Sequence, residues 1–223
     1  MKKKILRSLI LLVAYSQISY SQDSAENKQL LVWFDTTVKQ QNLNINKGFK
    51  YTEKYRTFNN SNHFLNDTFT SGDIIYNNQT YYNVSCNYDI LDDNLIVRIK
   101  SSTENYSLIL DKSKVSGFRI NNKEFIKINT TFYELRNNLN GKKLLKKQQV
   151  KKKELVRNKR TYYNFEKLED YFIADKKVIL SLAKKKNWYA SFPNQEKMID
   201  FYFKNKKSPN FFSESLFSNL SKQ

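Results

Sequence analysis

Between Tyr81 and Ile90 the side chains alternate one for one, with Tyr82, Val84, Cys86, Tyr88 and Ile90 on one set of positions and Tyr81, Asn83, Ser85, Asn87 and Asp89 on the other. Successive side chains of an extended chain point to opposite faces, so this rhythm predicts a strand with one face in a core and one in water. Strands of an all-parallel sheet are apolar on both faces, so the sheet is expected to be antiparallel. The expected strand is preceded by another over Asp73 to Tyr76, across Asn77, Asn78 and Gln79. A third follows over Leu95 to Ile99, across Asp92, Asp93 and Asn94. The rhythm continues through Tyr106, Leu108 and Leu110, then Phe118 and Ile120, a turn at Asn121-Asn122, Phe125 to Ile128, and Phe132 to Leu135.

After the turn dipeptide Asn140-Gly141 comes the most basic stretch of the chain: Lys142, Lys143, Lys146, Lys147, Lys151, Lys152, Lys153, Arg157, Lys159 and Arg160, with Glu154 the one acidic residue among them. Its apolar positions, Leu144, Leu145, Val150, Leu155 and Val156, match neither helical nor strict strand spacing. One or two long solvated strands crossing the sheet are expected there, followed by strands over Tyr162 to Phe165, Glu169 to Ala174 and Val178 to Leu180. From Ser181 the pattern turns helical. Ser181 is the expected N-cap of a helix through Lys184 to Tyr189, and Pro193 suits the first turn of a second. That second helix has Glu196 near its start, Lys204, Lys206 and Lys207 near its end, and an apolar face of Met198, Ile199, Tyr202 and Phe203. Pro209 is expected to stop it, and Phe212, Leu216, Phe217 and Leu220 are spaced as one face of a last helix. The stretch from Leu30 to Asn44 is ambiguous between an edge strand and a helical turn. The fold class is therefore mainly β, an antiparallel curled sheet or open barrel with two or three short C-terminal helices. An outer-membrane barrel is disfavoured, because such barrels present a lipid-facing apolar band on every strand.

The first 21 residues do not belong to that body. Lys2, Lys3, Lys4 and Arg7 precede an apolar run from Ser8 to Ala14 too short to span a bilayer, and Ser19 and Ser21 fit the small-residue positions of a cleavage site. The expected organisation is a secretory signal over residues 1–21, an antiparallel β domain over 22–180 and a helical segment over 181–223 packed on it. Loss of the leader takes away four of the 39 basic residues and none of the 21 acidic ones, lowering the formal net charge from +18 to +14. The expected location is the periplasm or cell envelope, or outside the cell, with no transmembrane segment in the mature chain. Sixteen phenylalanines and fifteen tyrosines argue for a folded chain. Asn, Lys and Ile dominate, as an AT-rich genome encourages.

Catalysis needs groups that titrate or attack, and the sequence has one histidine and one cysteine, no Gly-rich phosphate loop and no HExxH pattern. His63 is flanked by apolar Phe64 and Leu65 and reads more readily as structure than as a base. Cys86 alternates with inward residues and is expected to be a buried, unreactive thiol. Asp92-Asp93 and Glu169-Asp170 have no further ligands nearby in sequence, so neither a metal nor another cofactor is expected. The basic run interleaves with Leu, Val and Gln instead of aromatics, and export removes the chain from the chromosome, so nucleic acid is not an expected partner. Tyr76, Tyr81, Tyr82, Tyr88, Tyr162 and Tyr163 are candidates for stacking on a sugar or for filling the sheet.

Gly48, Phe49, Lys50 and Tyr51, then His63-Phe64, Gly72, Ile75-Tyr76, Tyr81 to Val84 and Tyr88-Asp89 resemble a pattern in exported, β-rich cell-envelope proteins of AT-rich Gram-negative bacteria, a group with no assigned function. Phe192-Pro193, Lys204 to Lys206, Phe211 and Leu216 are similar to the helical end of the same group. The resemblance implies an envelope location and one β-rich unit closed by helices, and it carries over no catalytic residues. The chain departs from the group at Asn77-Asn78, where a glycine is more usual. The expected function is that of a non-enzymatic envelope protein whose ten basic residues, Lys142 to Arg160, form a face for an envelope protein, an anionic lipid headgroup or a polysaccharide. The alternative is a glycan or ester hydrolase with a carboxylate or His63 centre.

Overall fold

The computed structural model describes residues 28–33, 44–58, 61–99, 105–139, 141–176, 178–205 and 209–220. The expected leader lies outside them. Of the ambiguous stretch after Leu30, residues 28–33 are helical and 34–43 lie outside the described residues.

The body is one antiparallel sheet of eleven strands: β1 (Gly48–Lys50), β2 (Thr70–Tyr76), β3 (Gln79–Asp89), β4 (Asn94–Ile99), β5 (Tyr106–Leu110), β6 (Val115–Ile120), β7 (Lys123–Ile128), β8 (Thr131–Leu139), β9 (Lys142–Arg157), β10 (Arg160–Asp175) and β11 (Val178–Ser181). The two stretches read separately as Tyr162 to Phe165 and Glu169 to Ala174 are a single strand, β10. In space the order is β1-β5-β4-β3-β2-β6-β7-β8-β9-β10-β11, and the two ends do not meet, so the sheet is open. Its curl follows from one short connection. Four strand spacings separate β5 from β6, about 19 Å in a flat sheet. Yet residues 111–114 join them in a turn closed by the Lys114 N–H donating to the Asp111 carbonyl at 3.0 Å, and such a turn brings its ends within about 7 Å. The sheet must roll to bring them together.

Inside the roll, rings from β3, β6, β7 and β8 meet. Phe118 stacks on Phe125 at 4.6 Å, Tyr88 lies 5.4 Å from each, and Phe132 meets Phe118 edge-on at 5.1 Å. Ile74, Cys86, Val97, Val115 and Ile120 fill the space around them. The alternation expected for β3 holds only in part. The register slips between Gly72 and Ile74, opposite a left-handed Asn83 (φ 56) whose N–H donates to the Asp73 carboxylate. This bulge adds one residue and reverses the faces beyond it. Tyr81 is therefore buried and Tyr82 is not, the reverse of the expected placement. Asn87 and Asp89, expected in water, are buried too, because the segment before β2 covers that end of the strand.

The asparagines have positional meaning. Three two-residue hairpin loops carry two left-handed residues each, at Asn77-Asn78 (φ 52, 62), Asn121-Asn122 (φ 49, 61) and Asn158-Lys159 (φ 50, 60), as type I′ turns require. Asparagine adopts that conformation more readily than other side chains, so it serves here where glycine, present only four times in the chain, usually does.

Three helices follow the sheet: α1 (Lys185–Ser191), α2 (Glu196–Lys204) and α3 (Pro209–Leu220). They build a second core on the base of β9 and β10, where Leu144, Tyr171 and Ile173 meet Trp188, Phe192, Ile199, Leu216, Phe217 and Leu220. Glu196 and Lys204 stand in the first and last turns of α2, and Met198, Tyr202 and Phe203 pack on the cluster; Lys206 and Lys207 lie outside the described residues. The helix ends depart from expectation. Ser181 is the last residue of β11, paired opposite Phe172, so Lys184 holds the N-cap position, and the Asn187 side chain donates back to the Ser181 carbonyl at 2.6 Å. Pro193 lies in the link before α2, which Gln195 precedes. Pro209 opens α3 instead of merely ending α2, since the first turn of a helix needs no proline N–H.

Candidate anionic-partner surface

The β9–β10 hairpin is two structures in one. Strand β8 pairs with β9 only as far as Glu134 opposite Lys146, and β11 pairs with β10 only over Phe172 to Asp175. Beyond those rungs β9 and β10 pair with each other out to Arg157 opposite Arg160. The distal ribbon is supported along its β10 edge by a strap, residues 51–58 and 61–66. Phe58 N–H donates to the Tyr163 carbonyl at 3.1 Å and Tyr163 N–H to the Arg56 carbonyl at 2.9 Å. Residues of the strap alternate around that edge. Tyr55 meets Tyr163 and Phe165 edge-on at 5.1 and 5.5 Å on one face, while Arg56 and Phe58 cover Tyr162 on the other.

The strap then crosses to β3, with Leu65 N–H donating to the Tyr88 carbonyl and Ile90 N–H to the His63 carbonyl. His63 sits at this crossing, 2% exposed, among the rings of Tyr55, Phe64 and Phe165. Its Nδ1 lies 2.9 Å from Asp89 Oδ1 and its Nε2 3.5 Å from Glu53 Oε1. Burial pulls the imidazolium down, but the bond to Asp89 and the charges of Asp89 and Glu53 outweigh it and hold His63 above its usual value. Burial opposes ionisation of Glu53 as well, yet the bonds from Tyr55 N–H, the Tyr51 hydroxyl and His63 hold it below the usual range. Both nitrogens of this histidine are engaged inside the protein.

The ten basic residues divide along the hairpin. The Lys142 ammonium donates to the Ser191 carbonyl and lies 4.7 Å from the Phe192 ring, clamping the end of α1. Half-buried Lys143 faces Asn138 and Ala174 in the sheet register. Lys146, 8% exposed, lies 3.3 Å from Glu134 and 3.1 Å from Glu169. Lys147 lies 3.3 Å from Asp93, a carboxylate shared with Lys112 and with the Tyr88 hydroxyl, and burial holds its pKa below the ordinary lysine value despite that partner. Lys142, Lys146 and Lys147 are structural cations. The distal ones differ. Lys151, Lys152, Lys153, Arg157, Lys159 and Arg160 are exposed, and of these only Lys153 has a carboxylate within ion-pair distance among the described residues, Glu166 at 2.9 Å. Lys152 lies 5.0 Å over the Tyr55 ring and Arg157 4.3 Å over Phe58, while Arg157 and Arg160 are cross-strand neighbours.

A second charged cluster went unforeseen. Glu134 is fully buried, accepting from Arg136 at 2.7 Å and Gln148 at 3.0 Å besides pairing with Lys146. Arg136 reaches on to Glu214 of α3 with two bonds, 2.7 and 3.2 Å, and the Tyr171 hydroxyl donates to the same carboxylate at 3.1 Å. Its spacing from Phe132 marks Glu134 as inward, but nothing local says that three strands and a helix bring its partners. A cleft of about 620 Å³ lies beside this cluster, lined by Leu65, Ile90, Gln148, Lys167, Glu169 and Asp170. Glu169 and Asp170, adjacent in the strand, point to opposite faces, and each has a partner, Lys146 and Gln149.

Cys86 is buried beneath Gly72, and burial, with the charge of Asp73, pushes its thiol up to about 12. Among the tyrosines considered for sugar stacking, Tyr76, Tyr81 and Tyr88 are core, Tyr82 lies under Lys28, and Tyr162 and Tyr163 are covered by strap residues. Among the described residues no three His, Cys, Asp or Glu side chains gather where a metal would bind, and no helix is long and apolar enough to cross a membrane. No protein-family model, curated protein or solved structure matches the chain.

Proposed function

We propose that this is an exported protein of the cell envelope that binds an anionic partner, without catalysis, on the distal half of its β9–β10 hairpin. The observation that carries the reading is the set of five exposed cations, Lys151, Lys152, Arg157, Lys159 and Arg160, that have no carboxylate within ion-pair distance among the described residues. Like charges placed directly opposite, as Arg157 and Arg160 are, weaken a hairpin unless something outside neutralises them. The strap supports the ribbon, so the cations sit on a pre-formed surface and little ordering is needed to use them. The basic leader followed by a short apolar run supports export, and the resemblance to exported β-rich proteins supports the envelope. A hydrolase centred on His63 has less support, since its ring is 2% exposed and both nitrogens face carboxylates of the protein.

The test is retention on isolated envelopes. Raising the salt from physiological to 1 M shortens the Debye length from about 8 to about 3 Å, so protein held by exposed charges should be released. Lys151→Glu, Arg157→Glu and Arg160→Glu together should abolish the retention, whereas Lys50→Glu, Lys186→Glu and Lys197→Glu, the same change in net charge elsewhere, should not. Equal behaviour of the two triple variants would refute the assignment to the hairpin.

A further inference from the structure

We infer that the anionic partner is the surface of a lipid bilayer, met by the distal hairpin lying in the headgroup layer; this rests on the anionic-partner reading above. Three features of the hairpin point to a bilayer and away from a polyanionic chain. Aliphatic carbon is open to solvent among the cations: Val156 is 74% exposed and Leu155 37%, both within the stretch from Lys151 to Arg160. A sulfated or phosphorylated polymer offers them nothing, whereas the boundary between headgroups and acyl chains takes up aliphatic carbon and leaves the flanking cations among the phosphates. The aromatic faces that a sugar ring would stack on are taken. Arg56 lies 5.7 Å over Tyr162 with Phe58 edge-on to it at 6.2 Å, and Tyr163 is flanked by Tyr55 at 5.1 Å and Lys152 at 5.2 Å.

The geometry of the ribbon matches a plane. Alternation puts Lys151, Lys153, Leu155 and Arg157 of β9 on the same face as Arg160 and Tyr162 of β10, and the strap adds Arg56 and Phe58 beside Tyr162. This face carries Lys151, Arg157 and Arg160, unpaired among the described residues, the Lys153–Glu166 pair, Leu155 and the half-buried Tyr162 and Phe58, a mixture of cations and apolar surface suited to a membrane interface. It extends for about 20 Å from Lys151 to Arg157 at 3.3 Å per residue, long enough to meet more than one headgroup at once. Val156, on the opposite face at the very end, is placed to enter when the tip tilts.

The experiment is vesicle sedimentation of the full chain, whose leader is common to every variant compared, with dextran sulfate as the soluble polyanion. Vesicles of phosphatidylglycerol and phosphatidylcholine should bind the protein and vesicles of phosphatidylcholine alone should not. Each cation at an anionic surface contributes about fivefold to binding, so Lys151→Glu, Arg157→Glu and Arg160→Glu together should weaken vesicle binding by roughly a hundredfold or more. Leu155→Ser with Val156→Ser should weaken it about tenfold while leaving dextran sulfate binding unchanged. Charge-dependent binding to dextran sulfate with no binding to vesicles, or vesicle binding indifferent to the serine pair, overturns the bilayer and leaves the anionic-partner reading standing. If neither probe binds, or the hairpin triple variant matches the control triple, both fall. Near-ultraviolet circular dichroism checks that each variant is folded. The serine pair and a salt titration of the unaltered chain decide the matter if charge reversal disturbs the hairpin.

Discussion

His63 Nδ1 lies 2.9 Å from Asp89 Oδ1, and this contact joins the strap to the sheet at the point where the chain passes from the hairpin edge to β3. Because it is the only histidine in the sequence, its titration can be followed without interference. His63 is raised in the folded protein. The stabilisation from its charged form is thus complete below the usual value of 6.5 and is lost as the pH rises through the folded one. Glu53, lowered, acts in the opposite sense, contributing above 4.5 and losing its contribution as the pH falls through its folded value. Unfolding free energy measured in urea should therefore decline as the pH is raised from 6.5, and His63→Gln should remove that slope.

Removing the ring altogether should cost about 2 kcal/mol in His63→Ala at pH 6. Asp89 stays buried and keeps, among the described residues, the N–H groups of Leu91 and Asp92. A loss of under 0.5 kcal/mol in the same urea measurement would show, on the scale of surface substitutions, that the strap does not depend on the pair.

Glu134→Ala should be among the most damaging single changes, at about 4 kcal/mol, because it strips a fully buried carboxylate from Arg136, Lys146 and Gln148 together. Glu134→Gln, which keeps the shape and part of the bonding, should cost clearly less in equilibrium denaturation.

The fork from Arg136 to Glu214 is partly exposed and links β8 to α3, so its worth is modest. A double-mutant cycle of Arg136→Ala and Glu214→Ala should return a coupling of about 1 kcal/mol. A coupling of zero would mean that the apolar contacts of Leu216, Phe217 and Leu220 alone hold the helix.

Lys159 occupies a left-handed position with φ 60 at the end of the hairpin. Lys159→Gly should raise stability by about 1 kcal/mol, read as an increase in Tm. Gly72→Ala should act the other way and cost about 2 kcal/mol. The added methyl would meet the Arg119 carbonyl at 2.6 Å and the Cys86 sulfur at 2.7 Å, both inside the packed sheet.

The strands were legible because their signal is local. Val84, Cys86 and Tyr88 alternate inward whatever the rest of the chain does, and Asn121-Asn122 marks a turn on its own. The errors came where a distant residue decides. A bulge opposite Asp73 turned Tyr81 inward and Tyr82 outward, and no periodicity within β3 announces a slip created by pairing with β2. Ser181 is a good N-cap in isolation but was already committed to β11. The basic run was visible as composition, yet its division into Lys142 to Lys147, partly or fully buried, and Lys151 to Arg160, facing water, depends on where β8 ceases to pair. The strap was missed for the same reason. Tyr55 and Phe58 find their partners more than a hundred residues later, through contacts that leave no trace in their neighbours.

The outermost strands of the sheet, β1 and β11, have three and four residues, whereas β9 and β10, just inside the β11 border, have sixteen each. A second copy arriving at either border finds too few open amide and carbonyl groups to add a lasting ribbon of its own, and along the longer bare margin of β9 it meets lysine after lysine. A molecule built from so much pleated chain can consequently be crowded without polymerising through its rims.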